Sequence, residues 1–133
     1  MPITTRLFFA CGALNMLLAV MFGAFGAHAL RASLSPEMMA VYHTANQYHF
    51  YHSLGLLIVA LLTTRTSVTV SLKWSGWLML AGILLFSGSL YLLSMTGLHW
   101  LGAITPVGGV LFIGAWLLLA IAAVRLQSPR EAV

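Results

Sequence analysis

The sequence predicts an all-α integral membrane protein, a bundle of four transmembrane helices with both termini on the cytoplasmic side. Hydrophobic residues make up 61% of the 133 residues and charged residues only 6%, whereas roughly 25% of the residues in an ordinary soluble domain are charged. Four segments are apolar over the roughly 20 residues that a helix needs to cross a bilayer. Most basic residues fall in the segments that four such helices would place on one side. With no internal repeat or linker, residues 1–133 are expected to form a single membrane domain.

The first helix is predicted over about residues 7–29. Its flanks resemble those of a signal peptide, because the stretch MPITTR precedes it and the small-residue motif AHA ends it. The apolar run from Leu7 to Phe25 is longer, however, than the roughly 7–15 residues of a signal-peptide core. The run therefore favours a retained transmembrane helix.

The second helix is predicted to cross the bilayer at about residues 45–64, with an extension from about residue 36 that stands outside it. In the stretch LSPE, Ser35 is a good N-cap and Pro36 suits the first helical position. Glu37 favours the positive end of the helix dipole. These signals place the helix start before the membrane boundary.

The third and fourth helices are predicted at about residues 74–95 and 101–124. In the fourth segment, Thr105 followed by Pro106 is compatible with either a helix start or a kink. We expect the start, with about residues 98–104 folded back at the membrane surface.

The basic residues predict the orientation. With four spans, the N-terminus, the loop after the second helix and the C-terminus share one side, which then holds Arg6, Arg65, Lys73, Arg125 and Arg130. The other side has Arg31, offset by Glu37, and a short uncharged loop. Because cytoplasmic loops carry an excess of Lys and Arg, both termini are expected in the cytoplasm.

This orientation places polar side chains in the outer leaflet. All five histidines, His28, His43, His49, His52 and His99, fall there or just outside it, whereas the inner halves are nearly all apolar apart from Asn15. The pattern predicts an outer-leaflet pocket, with candidate lining residues His28, Tyr48, His49, His52, Ser87, Ser89, Tyr91 and Thr105. Glycines at the same depth are candidates for close helix packing: Gly23, Gly26, Gly88, Gly108 and Gly109.

Helical geometry groups the polar residues of the second helix. An arc of about 120° holds Tyr42, Ala45, Asn46, His49, His52 and Ser53. A polar ring in lipid faces the bundle interior or water, so this arc is expected to face the first and third helices, with His49 and His52 acting together. On the first helix, Asn15, Ala19, Gly23 and Ala27 form a stripe that permits close approach.

Several kinds of chemistry remain open for these histidines. Hydrogen bonding across helices is favoured over binding of a lipid headgroup or small amphiphile. A metal or haem site through His28, His49 and His52 is weaker, because the only cysteine, Cys11, lies in an apolar run and no Asp is nearby. We expect no cofactor and no enzyme activity, since the chain has no GxSxG nucleophile elbow and no phosphate-binding glycine loop. The absence of a Lys or Arg run argues against nucleic-acid binding.

Four strings resemble a known family: GAFGAHAL at Gly23–Leu30, YHFYHSL at Tyr48–Leu54, LFSGSLYLL at Leu85–Leu93 and ITPVGGVLFIGAW at Ile104–Trp116. They are similar to the domain-of-unknown-function family 423, small four-helix proteins of the bacterial inner membrane, with eukaryotic relatives similar to transmembrane protein 256. The resemblance implies the four-helix fold and that membrane, and it supplies no activity. The signature would fall on Gly23, Phe25, Gly26, His28, Tyr48, His52, Ser87, Gly88, Ser89, Thr105, Pro106 and Gly108. It also implies that glutamine can replace His49, which weakens the metal hypothesis.

The leading hypothesis is a non-enzymatic inner-membrane protein whose pocket around His28 and His52 binds a lipid-like ligand or a partner helix. The alternative is an accessory subunit of a larger membrane complex, and a third is a metal or haem protein. Expected partners are membrane lipid, another membrane protein or a second copy of the chain.

Overall fold

Every regular element in the computed structural model, which describes residues 1–65 and 70–125, is helical. The main helices are α1 (Ile3–Phe25), α2 (Pro36–Arg65), α3 (Val70–Gly82), α4 (Gly88–Thr96) and α5 (Thr105–Arg125). Short π-helical segments extend α1 over Gly26–Leu30 and join α3 to α4 over Ile83–Ser87, and a 3₁₀ turn at His99–Ala103 precedes α5. Arg130 and the predicted C-terminal position lie outside the described residues.

Three helical segments of the described chain are long and apolar enough to cross a membrane: Ile3–Leu30, Val70–Thr96 and His99–Arg125. They confirm the all-α membrane class. The second predicted span, within the 30 residues of α2, is not among them. Helix α2 carries Asn46, Gln47 and the three histidines His43, His49 and His52, which lower its hydropathy. The count of four spans therefore stays a prediction.

The helix starts follow local capping chemistry. α2 begins where predicted, because the backbone N–H of Met38 donates to Ser35 Oγ at 3.2 Å. α5 begins at Thr105 with Pro106 in its first turn, so the proline starts the helix and does not kink it. Gly97 ends α4 with φ of 71°, a left-handed conformation that glycine adopts without a Cβ penalty.

Pairs of contacting residues show that neighbouring helices are antiparallel. Between α1 and α2, Gly12 faces Leu57 and Gly26 faces Tyr42. Helices α3 and α4 and the π-helical segment between them form one continuous helical rod over Val70–Thr96, the α3–α4 rod. Between this rod and α5, Ser75 Oγ donates to the Ala115 carbonyl at 2.8 Å, and Ser89 hydrogen bonds to Thr105 at 2.7 Å. Of the five described Arg and Lys residues, Arg6, Arg65, Lys73 and Arg125 consequently share one end of the bundle, and Arg31 lies at the other.

The side chains form two packed regions. A larger apolar cluster around Phe8, Leu56 and Met79 fills the half nearer the basic end. A smaller cluster around Tyr42, Ala45 and Tyr91 lies in the other half. α1 packs mainly on α2, and α2 packs on the α3–α4 rod, which packs on α5. The buried histidines His49 and His52 therefore lie in the half of the bundle away from Arg6, Arg65, Lys73 and Arg125.

Candidate functional site

His49 lies at the centre of a hydrogen-bonded network that joins three helices. Its ring is only 3% exposed. The Nδ1 atom lies 3.2 Å from the hydroxyl of Tyr91 on α4, and Nε2 lies 3.2 Å from Oδ1 of Asn15 on α1. Asn46, one turn earlier on α2, donates from Nδ2 to the Tyr91 hydroxyl at 3.0 Å and to the Ala19 carbonyl at 2.8 Å.

The amide groups of Asn15 and Asn46, at the two ends of this network, determine which atom donates and which accepts in each hydrogen bond. Asn15 Nδ2 donates to the Cys11 carbonyl at 2.8 Å, so Asn15 Oδ1 is the acceptor for His49 Nε2–H. His49 Nδ1 must then accept from the Tyr91 hydroxyl, whose oxygen accepts from Asn46. The network is complete with a neutral imidazole in the Nε2–H tautomer, and it has no unpaired ring nitrogen.

Aromatic rings enclose the same network. The Tyr42 hydroxyl donates to the Phe22 carbonyl at 2.5 Å. Tyr91 makes edge contacts with both Phe22 and Tyr42, each with ring centroids 5.0 Å apart. This geometry shields the polar atoms from lipid and fixes α1, α2 and α4 relative to one another.

His52 belongs to a different cluster, between α2 and α5. Its Nδ1–H donates to the Tyr48 carbonyl at 2.7 Å, and its Nε2 accepts from the indole N–H of Trp116 at 3.1 Å. Its ring stacks on Phe112 with centroids 3.3 Å apart and planes 9° apart. His52 is therefore also a neutral ring with both nitrogens paired.

A groove of about 780 Å³ opens beside His52. The backbones of α2 and α5 lie far enough apart that side chains bridge the gap. Six of the nine residues that line the groove are aromatic rings: Tyr48, Tyr51, His52, Phe86, Phe112 and Trp116, with Leu54, Gly109 and Ile113 completing the lining. Because Tyr51 and Ile113 are 51% and 71% exposed, the groove opens at the lipid-facing surface.

The structure separates residues that the sequence analysis grouped together. His49 contacts α1 and α4, whereas His52 contacts α5, so the prediction that they act together is wrong. Adjacent positions on one wide helix face meet different neighbouring helices. His28 is exposed, and no described residue hydrogen bonds to its ring. It is not among the residues that line the groove beside His52.

The remaining predicted pocket residues have distinct places. Tyr48 lines the groove, and Tyr91 belongs to the His49 network. Ser89 and Thr105 hydrogen bond to each other and tie α4 to α5. Ser87 is 1% exposed, and its hydroxyl has no hydrogen-bond partner among the described residues. It borders a cavity of about 170 Å³ that His49, Asn15 and Tyr91 also line.

Three of the five predicted packing glycines lie at close helix contacts. A Cβ at Gly26 would overlap the Tyr42 ring, one at Gly23 would lie 3.0 Å from Asn46 Oδ1, and one at Gly108 would overlap the Phe86 backbone. At Gly88 and Gly109 the nearest atoms would be 4.0 and 3.9 Å away, so these two positions show no close approach.

Sequence reasoning missed Phe112 and Trp116, which form the α5 side of the His52 cluster. Their aromatic character was visible in ITPVGGVLFIGAW, but an apolar helix gives no signal of which ring meets a histidine. It also missed four glycines at close contacts, Gly12, Gly55, Gly76 and Gly82. Asn15, predicted only as a polar exception in an apolar half and as a member of the packing stripe on the first helix, proves to be part of the His49 network.

The residues present fit a metal poorly. Among residues 1–65 and 70–125, no three His, Cys, Asp or Glu side chains lie together. His49 and His52, two of the three candidate ligands, already have both ring nitrogens in hydrogen bonds. A metal or haem would have to break these bonds.

The fold and the two polar clusters define a small helical membrane protein with a lipid-facing aromatic groove. The family described as "Protein of unknown function (DUF423)" matches residues 22–109, and the chain belongs to this family, as its four strings predicted. UPF0382 membrane protein YwdK of Bacillus subtilis is 52% identical over 90% of this chain and 98% of its own length. UPF0382 membrane protein SERP0230 of Staphylococcus epidermidis is 50% identical over 90% of this chain and 97% of its own length. No solved structure matches the chain.

Proposed function

We propose that this chain is a non-enzymatic protein of the bacterial inner membrane that binds a lipid-like ligand in the groove between α2 and α5. The observation that carries the proposal is the groove itself. Its volume of about 780 Å³ lies in the range of small-molecule sites, roughly 300–1,000 Å³. A well-packed helix pair would leave no such space, because protein interiors are close-packed.

The groove is suited to a ligand that enters sideways from the bilayer. Ile113 and Leu54, at its rim, are 71% and 52% exposed, whereas His52 at its base is 4% exposed. A ligand seated on His52 and Phe112 would keep its tail among lipid chains. Because lipid tails are as apolar as the groove lining, close packing against the aromatic rings, and not removal of apolar surface from water, would stabilise this complex.

The proposed site differs from the pocket that the sequence analysis centred on His28 and His52. His52 remains, but its partners are Trp116, Phe112 and Tyr48, and His28 takes no part. The His49 network is a structural element in this proposal, because all its polar atoms already pair with each other.

The proposal includes a membrane topology. α2 would cross the bilayer as a fourth span, since it packs antiparallel to α1 along both halves of that helix. Both termini would be cytoplasmic, since Arg6, Arg65, Lys73 and Arg125 share one end of the bundle.

Photolabelling tests the groove directly. The full chain would be reconstituted in nanodiscs with a phosphatidylglycerol that carries a photoactivatable acyl chain. We expect saturable labelling of the peptide around Phe112 and Ile113, which excess unlabelled lipid reverses. Ile113→Trp, which fills the groove, should reduce this labelling about tenfold, the equivalent of about 1.4 kcal/mol.

Leu17→Trp is the matched control, because Leu17 is also an exposed apolar residue, 55% exposed on α1, and does not line the groove. It should leave labelling at Ile113 unchanged. Labelling of all lipid-facing residues in proportion to exposure, with no effect of Ile113→Trp, would contradict the proposal. Labelling blocked by a co-purifying protein would instead favour a partner helix as the occupant.

A further inference from the structure

The groove between α2 and α5 has a defined inner end. On α5 its lining residues run from Gly109 to Trp116, and a helix rises about 10 Å over this interval. Because α5 continues from there to Arg125 at the basic end of the bundle, Trp116 is the α5 lining residue nearest that end. The groove therefore extends over about two helical turns and stops at the level of Trp116.

The indole ring of Trp116 bridges the gap between the two helices. Its N–H donates to His52 Nε2 at 3.1 Å. A Cβ at Gly55, on the next turn of α2, would lie 3.3 Å from Cζ2 of the same ring. Because Gly55 has no side chain, the indole can lie close to the α2 backbone. Trp116 thus closes, with its side chain, the space that the backbones of α2 and α5 leave open.

The chain is closely packed beyond the indole. Towards the basic end follow Leu56 and Val59 on α2 and Leu119 on α5, which belong to the larger apolar cluster and are at most 8% exposed. Met79 occupies the space next to Gly55, since its Sδ atom would lie 2.8 Å from a Cβ at that position. An interior packed in this way has no room for a further segment of ligand.

From this geometry we infer that Trp116 limits how deeply a ligand reaches into the groove, and so determines the length of the apolar segment that is bound. A chain seated between α2 and α5 packs along the interval from Gly109 to Trp116 and meets the indole at its inner end. A longer chain has to leave the groove for the bilayer at that level, because the bond to His52 holds the ring in place. The inference rests on the proposed function and adds to it the residue that sets the length of the site.

Depth-resolved photolabelling tests this limit. In the nanodisc assay, two phosphatidylglycerols would carry the photoactivatable group either in the middle or at the end of an acyl chain. In the original chain, the labelling that excess unlabelled lipid reverses should end at Trp116 with both probes. Trp116→Ala removes the indole, so reversible labelling by the chain-end probe should extend about one helical turn, 5.4 Å, to Ala120.

A second variant and a control accompany Trp116→Ala. Trp116→Phe keeps an aromatic ring but loses the N–H that binds His52, and it should shift the labelling in the same direction with a smaller yield at Ala120. The test therefore does not depend on the folding of the alanine variant. Trp74→Ala is the matched control, because Trp74 is also an exposed tryptophan, 57% exposed on α3, and does not line the groove. It should leave the end of the reversible labelling at Trp116.

The outcomes separate this inference from the proposed function. Reversible labelling that already reaches Ala120 in the original chain would overturn the depth limit and leave lipid binding in the groove intact. An unchanged labelling pattern in both Trp116 variants would do the same. Absence of any reversible labelling around Phe112 and Ile113 would overturn the proposed function and the inference together.

Discussion

At the scale of single residues, the two buried histidines act as neutral hydrogen-bonding connectors between helices. His49 joins Tyr91 to Asn15, and His52 joins the Tyr48 carbonyl to the Trp116 indole. The sequence predicted that both are buried, because a polar ring in lipid faces inward. It could not predict that they face different helices, since a helical wheel shows angles on one helix and carries no information about its neighbours.

Substitutions at His49 test the network. Glutamine has one donor and one acceptor group that can replace both bonds, so His49→Gln should keep the free energy of unfolding close to that of the original chain. His49→Leu leaves the O–H of Tyr91 without an acceptor and Oδ1 of Asn15 without a donor, and it should cost about 1–3 kcal/mol. The measurement is unfolding by SDS in mixed micelles, followed by circular dichroism.

His43→Leu is the control for this pair, because His43 is an exposed histidine of the same helix with no hydrogen bond among the described residues. It should change the free energy of unfolding by less than about 0.5 kcal/mol. If His49→Leu proved as stable as the original chain, the network would have no stabilising role.

At the scale of helices, glycines set how closely the rods approach. The sequence predicted close packing at Gly23, Gly26 and Gly108 from their expected depth in the membrane. The same criterion also gave Gly88 and Gly109, where the structure leaves room for a side chain. The apolar runs predicted where helices form because chain length and hydropathy decide that locally. The π-helical segment Ile83–Ser87 had no such local signal, since it depends on how the rod packs against α2 and α5.

Neighbouring glycines at the start of α5 provide a matched pair. Gly108→Ala would place a Cβ 2.8 Å from Phe86 Cα, which a rigid backbone cannot relieve, and should destabilise the protein by about 1–3 kcal/mol. Gly109→Ala meets its nearest neighbour at 3.9 Å and gains helix propensity, so it should be neutral or stabilising by up to about 1 kcal/mol. The same SDS unfolding assay compares them. Equal destabilisation by both would mean that backbone flexibility, and not close approach, requires these glycines.

At the scale of the whole molecule, the polar and basic residues divide the bundle into two unlike ends. Arg6, Arg65, Lys73 and Arg125 lie at one end, and the His49 network and the groove lie in the other half. Hydropathy alone identifies three membrane-spanning segments, because it treats the paired Asn46, His49 and His52 of α2 as if each were fully exposed to lipid. Each of these side chains hydrogen bonds to groups on neighbouring residues, and these bonds reduce the cost of burying it.

Cysteine accessibility tests whether α2 crosses the membrane and which end faces the cytoplasm. In a chain with Cys11→Ala, single cysteines would replace Ser33, Lys73 and His99, all exposed, and intact cells would be treated with a membrane-impermeant maleimide. With four spans and cytoplasmic termini, Ser33→Cys and His99→Cys are labelled in intact cells and Lys73→Cys only after lysis. If α2 stayed outside, Ser33→Cys and Lys73→Cys would share a side and both would be labelled, while His99→Cys would be protected. Labelling of Lys73→Cys alone would mean that the basic end faces outward, against the positive-inside rule.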